Sequence, residues 1–250
     1  MMASVFAQFL QYSCYAVEAC LVIAVVARGQ WRKYPEFALF AVGYASIDAI
    51  LRPIILFHYG QSSLQYRYCY WLSDAALTLG AFLLISLFFR RALAKKKEIW
   101  PLLRSILSSV FILITLISAF SISSHYHHLI GDFIVEFQQN LYFTCLVLNT
   151  VLYVTLAQME KVDEDLNLLV CGLGVQFAGP AAVMALIYLT GIGVHAPAFF
   201  ELCAQACTLA TWLTWLYTFT CKRSAESTST EERKETSAFA KVSMRRLSEV

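Results

Sequence analysis

Charge is what this chain has least of. Only 14% of its 250 residues are Asp, Glu, Lys or Arg, and the mean hydropathy is +0.61, whereas a soluble domain is about one quarter charged. A water-soluble globular fold is thereby excluded as the main architecture. Polar sequence long enough to fold alone is also missing, because 222–250 is the one sizeable polar stretch. No catalytic signature is recognisable, so the chain is expected not to be an enzyme. No lysine lies in the last apolar segment, 197–220, which argues against a Schiff-base retinal pigment; no cofactor is expected. Nothing in the charge pattern points to nucleic acid. A three-helix internal repeat of the kind that organises small sugar transporters is absent as well. The hallmarks of G-protein-coupled receptors are missing too. The third apolar segment closes with Leu87-Phe-Phe-Arg-Arg91 rather than an acidic-Arg-aromatic triplet, and the last has no Asn-Pro-x-x-Tyr.

What the chain does have is seven apolar stretches, at 6–27, 37–58, 70–89, 102–122, 133–156, 166–189 and 197–220. A helix needs about 20 apolar residues to cross a hydrocarbon core roughly 30 Å thick. The expected fold is therefore all-α: a polytopic seven-helix transmembrane bundle over 1–221, followed by a cytoplasmic tail at 222–250. Basic residues set its orientation. Arg28, Arg32 and Lys33 follow the first stretch; Arg90, Arg91, Lys95, Lys96, Lys97 and Arg104 follow the third; Lys161 follows the fifth; and seven more run from Lys222 to Arg246. The opposite side has Arg67 alone. Since basic loops stay in the cytoplasm, the amino terminus is expected outside and the carboxyl terminus inside. The first apolar run lacks a basic leader and meets a basic stop at Arg28–Lys33, so a cleaved signal peptide is not expected.

Charges inside a bilayer are costly and normally face the bundle interior with a partner. Glu18, Asp48, Arg52 and Asp74 form such an intramembrane polar set. Asp48 and Arg52 are four residues apart on one helix face, and Arg52 and Asp74 lie at matched depth on consecutive helices, so an Arg52–Asp74 bridge with Asp48 as second partner is expected. It serves either as a structural clamp or as a ligand or proton site. Glu18 and Asp48 lie mid-membrane, and each is either an inert hydrogen-bonding group or a proton carrier. At the outer face, His128, Asp132 and Glu136 follow i, i+4, i+8 spacing. With Glu201, and with His58, His125, His127 and His195 nearby, they make a candidate ligand, cation or metal site, or else a solvated pH-sensitive rim.

Eight cysteines lie in or at the ends of the apolar segments. They serve there as small apolar residues, although oxidation of outer-facing Cys14 and Cys69 to a disulfide is conceivable. Pro53 and Pro180 interrupt the second and sixth helices, and each frees a carbonyl that bends the helix or lines a cavity. Trp212 and Trp215 sit deep enough in the last helix to line a pocket with Tyr188 or simply to pack. The tail has a composition that does not fold alone, apart from a short basic segment from Ser237 that either rests on anionic lipid or stays solvated.

Three segments carry a resemblance: Arg28-Gly-Gln-Trp-Arg-Lys-Tyr-Pro-Glu-Phe37, Tyr70-Trp71-Leu-Ser-Asp74 and Trp215-Leu-Tyr217. Together they resemble an uncharacterised family of bacterial seven-helix integral membrane proteins. The resemblance implies the topology and a bacterial inner-membrane location, and no activity. Two functions fit the residues. One is a non-enzymatic sensor or signalling module with an outer acidic and histidine site, its basic inner loops and tail meeting a cytoplasmic protein partner. The other is a small-solute or proton-coupled secondary transporter working through the intramembrane carboxylates.

Overall fold

The computed structural model describes residues 2–60, 63–94, 99–122, 129–159, 163–190, 199 and 202–220, and every regular element among them is helical. The helices are α1 (Met2–Ala27), α2 (Pro35–Tyr59), α3 (Leu64–Ala92), α4 (Ile99–Ile122), α5 (Leu129–Ala157), α6 (Glu164–Thr190) and α7 (202–220). Six contain a stretch long and apolar enough to cross a membrane. The exception is α7, which carries Thr208, Thr211, Thr214, Thr218 and Thr220. Each of these hydroxyls donates to the carbonyl four residues back, at 2.6–3.0 Å, so the helix satisfies its threonine hydroxyls internally.

Local chemistry explains the helix boundaries. After α1, Gly29 takes a left-handed φ of 66°, the usual way of turning the chain off a helix end. Pro35 then opens α2 in the first turn, where a missing N–H costs nothing. Gly60, with φ 75°, closes α2, and the Ser63 hydroxyl caps α3 by accepting the Tyr66 N–H at 3.1 Å. Glu164 and Asp165 open α6, where acidic groups complement the helix dipole.

The bundle is built around α3 and α5, its most extensive helix pair, with α4 and α6 packed on α5 and α2 on α3. Buried side chains such as Phe88, Ile85, Leu141, Leu152 and Leu169 fill the interior. The exterior is apolar too: Leu39, Phe57 and Phe120 are 77%, 92% and 78% exposed. Polar interior groups behind an apolar surface are what a bundle solvated by lipid requires.

One end of the bundle gathers the basic segments. Arg28 donates through Nη1 to the carbonyls of Phe219 and Thr220 at 2.7 and 2.8 Å, closing the open carbonyl end of α7 from α1. Lys33 pairs with Asp163 and Asp165 ahead of and within the first turn of α6. Arg91, at the end of α3, donates to the Lys33 carbonyl and to Glu36, and its guanidinium lies 4.0 Å from the Tyr34 ring centre. The ends of α1, α3 and α7 and the starts of α2 and α6 thus share one face, called here the basic face.

Candidate functional site

The polar core begins with a defect in α2. Pro53 has no N–H, and its ring crowds the carbonyl of the preceding turn. Over Ser46–Leu51 the helix widens into a π turn, and the Arg52 N–H reaches the Ile47 carbonyl. Such bulges often accompany functional positions. This one holds Asp48 and ends at Arg52.

Each nitrogen of the Arg52 guanidinium donates one hydrogen bond. Nη1 donates to Asp48 Oδ1 and Nη2 to Asp74 Oδ1, both at 2.9 Å, while Nε donates to the Ser73 hydroxyl at 3.1 Å. The group lies 4.4 Å from the centre of the Tyr70 ring. Gln138, on α5, donates to the second oxygen of Asp74. Asp48, Arg52, Ser73, Asp74 and Gln138 therefore tie α2, α3 and α5 together at mid-bundle. The Arg52–Asp74 and Arg52–Asp48 pairings expected from depth and spacing are both made.

Glu18 is apart from this network. It is 1% exposed on α1, close enough to Asp48 and Arg52 to feel their charges, yet neither of its carboxyl oxygens has a hydrogen-bond partner among the described residues. Most of the outer-face candidates lie outside the described residues. His128, Glu201, His125, His127 and His195 lie outside the described residues, as does the side chain of Asp132. Glu136 is half-buried on α5 and His58 is exposed at the end of α2. Among the described residues no three metal-binding side chains converge. Cys14 and Cys69 are free thiols, and Cys14 points at the Gln205 carbonyl of α7 at 3.8 Å.

Below Asp74 opens a cavity of about 740 Å³ between α2, α3, α5, α6 and α7. Its volume falls in the range of small-molecule sites. Aromatic rings wall it. Tyr44 meets Trp212 edge to face at 5.0 Å, Trp212 meets Trp215 at 5.1 Å, and Tyr142 meets Phe177 at 5.0 Å, with interplanar angles of 70°, 89° and 70°. The floor is fixed by the Trp215 indole, which donates to the Leu169 carbonyl at 3.0 Å, and by Thr211, which donates to the Gly172 carbonyl at 3.1 Å.

Pro180 contributes as expected of a proline inside a membrane helix. It leaves the Gln176 carbonyl, four residues earlier, without its helical donor. The Tyr142 hydroxyl of α5 supplies one at 2.9 Å and also reaches the Phe177 carbonyl at 3.2 Å. Two residues that line the cavity each carry a buried polar atom without a partner among the described residues: the indole nitrogen of Trp212, a residue 2% exposed, and Oε1 of Gln176. Tyr188, expected beside the tryptophans, has a side chain outside the described set.

The sequence reading missed Gln138 and Tyr142. Gln138 did have a signal, the polar run Gln138-Gln-Asn140 within an apolar helix, whose Asn140 donates to Ser118 of α4 at 3.2 Å. Tyr142 had none, because a tyrosine in a membrane helix is ordinary and its partner is a backbone atom of another helix.

Compared with known proteins, the chain matches no family model, no curated protein and no solved structure.

Proposed function

We propose that this chain is a non-enzymatic sensor or signalling module of a bacterial inner membrane, and that it binds a small amphipathic molecule in the cavity beneath Asp74. The observation that carries this reading is a mid-bundle space of about 740 Å³, walled by aromatic rings and lined by two residues, Gln176 and Trp212, that each hold an unpartnered buried polar atom. Buried polar groups left open cost free energy that a ligand recovers. In this reading all seven helices cross the bilayer, with the amino terminus outside and the basic face inside. Support comes from the gathering of Arg28, Lys33 and Arg91 at one end. The basic segment 90–104 and the tail 222–250 would then meet a cytoplasmic protein partner. In this reading the ligand site is the cavity inside the bundle, while most of the outer histidine and acidic rim lies outside the described residues.

The test is saturable binding in detergent, read by tryptophan fluorescence, with the cavity filled by Ala181→Phe as the control. A panel of small water-soluble aromatic compounds should include at least one that saturates in the native protein and not in the variant. If no compound distinguishes the two proteins, the cavity is not a binding site.

Glu18 favours a second reading, a proton-coupled transporter, because a carboxyl 1% exposed with two unpartnered oxygens is suited to taking up and releasing a proton. Liposomes containing the protein would then show proton flux that falls in Glu18→Gln and in Asp48→Asn. No flux above that of empty liposomes would eliminate the transporter.

A further inference from the structure

The charge balance at the cavity narrows what it can hold. Among the described residues lining it, Asp74 is the one charged group. Arg52 does not leave it neutral, because the single guanidinium is divided between two carboxylates, Asp48 and Asp74. Each of its three nitrogens already donates to one of those acids or to Ser73, and its single positive charge is outnumbered by the two carboxylates it bridges. With both acids ionised the cluster carries one net negative charge, and Asp74, with a third of its side chain exposed, brings it to the cavity wall. An anionic ligand would face that charge without a free counter-ion.

The remaining walls agree with the sign. Phe40, Tyr44, Tyr142, Phe177, Trp212 and Trp215 all border the space. Aromatic faces attract organic cations, tryptophan most strongly, and the attraction grows when water is excluded. The mutually perpendicular rings present faces in more than one direction, as a cage does.

We propose that the cavity takes a small organic cation: an amine or substituted ammonium on an apolar or aromatic body. Asp74 is its counter-ion. This rests on the reading that the cavity is the binding site, and the experiment separates the two. Full-length protein in detergent is titrated with phenethylamine, its neutral isostere 2-phenylethanol and the anion 3-phenylpropanoate. Trp fluorescence is the readout, and the Ala181→Phe signal is subtracted. The cation should bind at least about tenfold more tightly than the alcohol, a factor within the range of a desolvated cation–π and ion-pair contribution, and the anion should bind most weakly. Asp74→Asn should remove most of the preference for the amine while leaving the alcohol's affinity within about twofold. Asp48→Asn removes the same charge from behind the wall and should shift the preference in the same direction, which keeps the test informative if Asp74→Asn does not fold. Equal binding of amine and alcohol, or preference for the anion, overturns the cation assignment and leaves the cavity standing as a site. Binding of none of the three above the Ala181→Phe background overturns both.

Discussion

Gly172 of α6 lies against the indole of Trp215 on α7 so closely that a Cβ added at Gly172 would overlap the ring nitrogen and its neighbouring carbon. The same indole donates to the Leu169 carbonyl one turn earlier on α6. The glycine is there because two helix backbones approach with an indole between them, a packing mode typical of membrane bundles. Gly172→Ala should therefore destabilise the protein by about 1–3 kcal/mol, the usual cost of overpacking. Thermal unfolding in detergent measures it. Trp215→Phe in the same chain should recover part of the loss, so that the double variant costs less than the sum of the two singles. Full additivity would show that the crowding seen here does not set the stability.

The Arg52 clamp gives a second prediction. Arg52→Ala leaves Asp48 and Asp74 facing each other without their shared cation, and Asp74→Asn removes one of the two acids. The variants together should cost less than the sum of each alone, by about 0.5–3 kcal/mol, as expected for groups in one network. Equilibrium unfolding of the four proteins measures the coupling. Strict additivity would separate the two residues.

Much of this network was legible before any coordinates. Arg52 and Asp74 are charges in apolar sequence, where few partners exist, so depth alone nearly dictates the pairing. The helix spans were legible for the same reason, since bilayer thickness imposes their length. Their ends were less so: α3 runs Leu64–Ala92, against an apolar stretch of 70–89, because Tyr66, Arg67 and Tyr68 are helical without being strongly apolar. The cavity was the hardest part to read. Which of Tyr44, Tyr142, Trp212 and Trp215 face one another depends on the rotation of three helices about their axes, and uniformly apolar helices carry little periodic signal of rotation.

A third prediction concerns Tyr34, which is 1% exposed beside the basic face and donates to Asp163 at 2.7 Å. Burial, and then the hydrogen bond to Asp163, raise its phenol above the ordinary tyrosine range. The folded state therefore keeps a proton that the unfolded chain releases near its usual value of about 10. The stability this contributes is present below that pH and is lost as pH climbs above it. Melting followed between pH 8 and pH 11 should fall more steeply in the native protein than in Tyr34→Phe. At pH 8 the variant should be less stable by about 1 kcal/mol, the worth of one hydrogen bond. Parallel curves would show that the phenol titrates normally.

The proposed orientation yields a fourth. Reporter fusions placed after Tyr59 and after His125 should score as periplasmic, and those after Lys33, Lys97 and Lys222 as cytoplasmic. A cytoplasmic signal at His125 would break the alternation that seven crossings demand.

The contact between Arg28 and the end of α7 has a consequence for how the protein is made. The guanidinium and the carbonyls of Phe219 and Thr220 are separated by 191 and 192 positions along the chain, and Cys14 also meets α7 across 191 positions. During synthesis, the first helix must wait in the bilayer with part of its surface unclaimed until the last helix arrives. The seams that α7 makes, with α1 as well as with α2 and α6, are thus the last to close, and a chain that stops short of residue 220 lacks the carbonyl that Arg28 holds there.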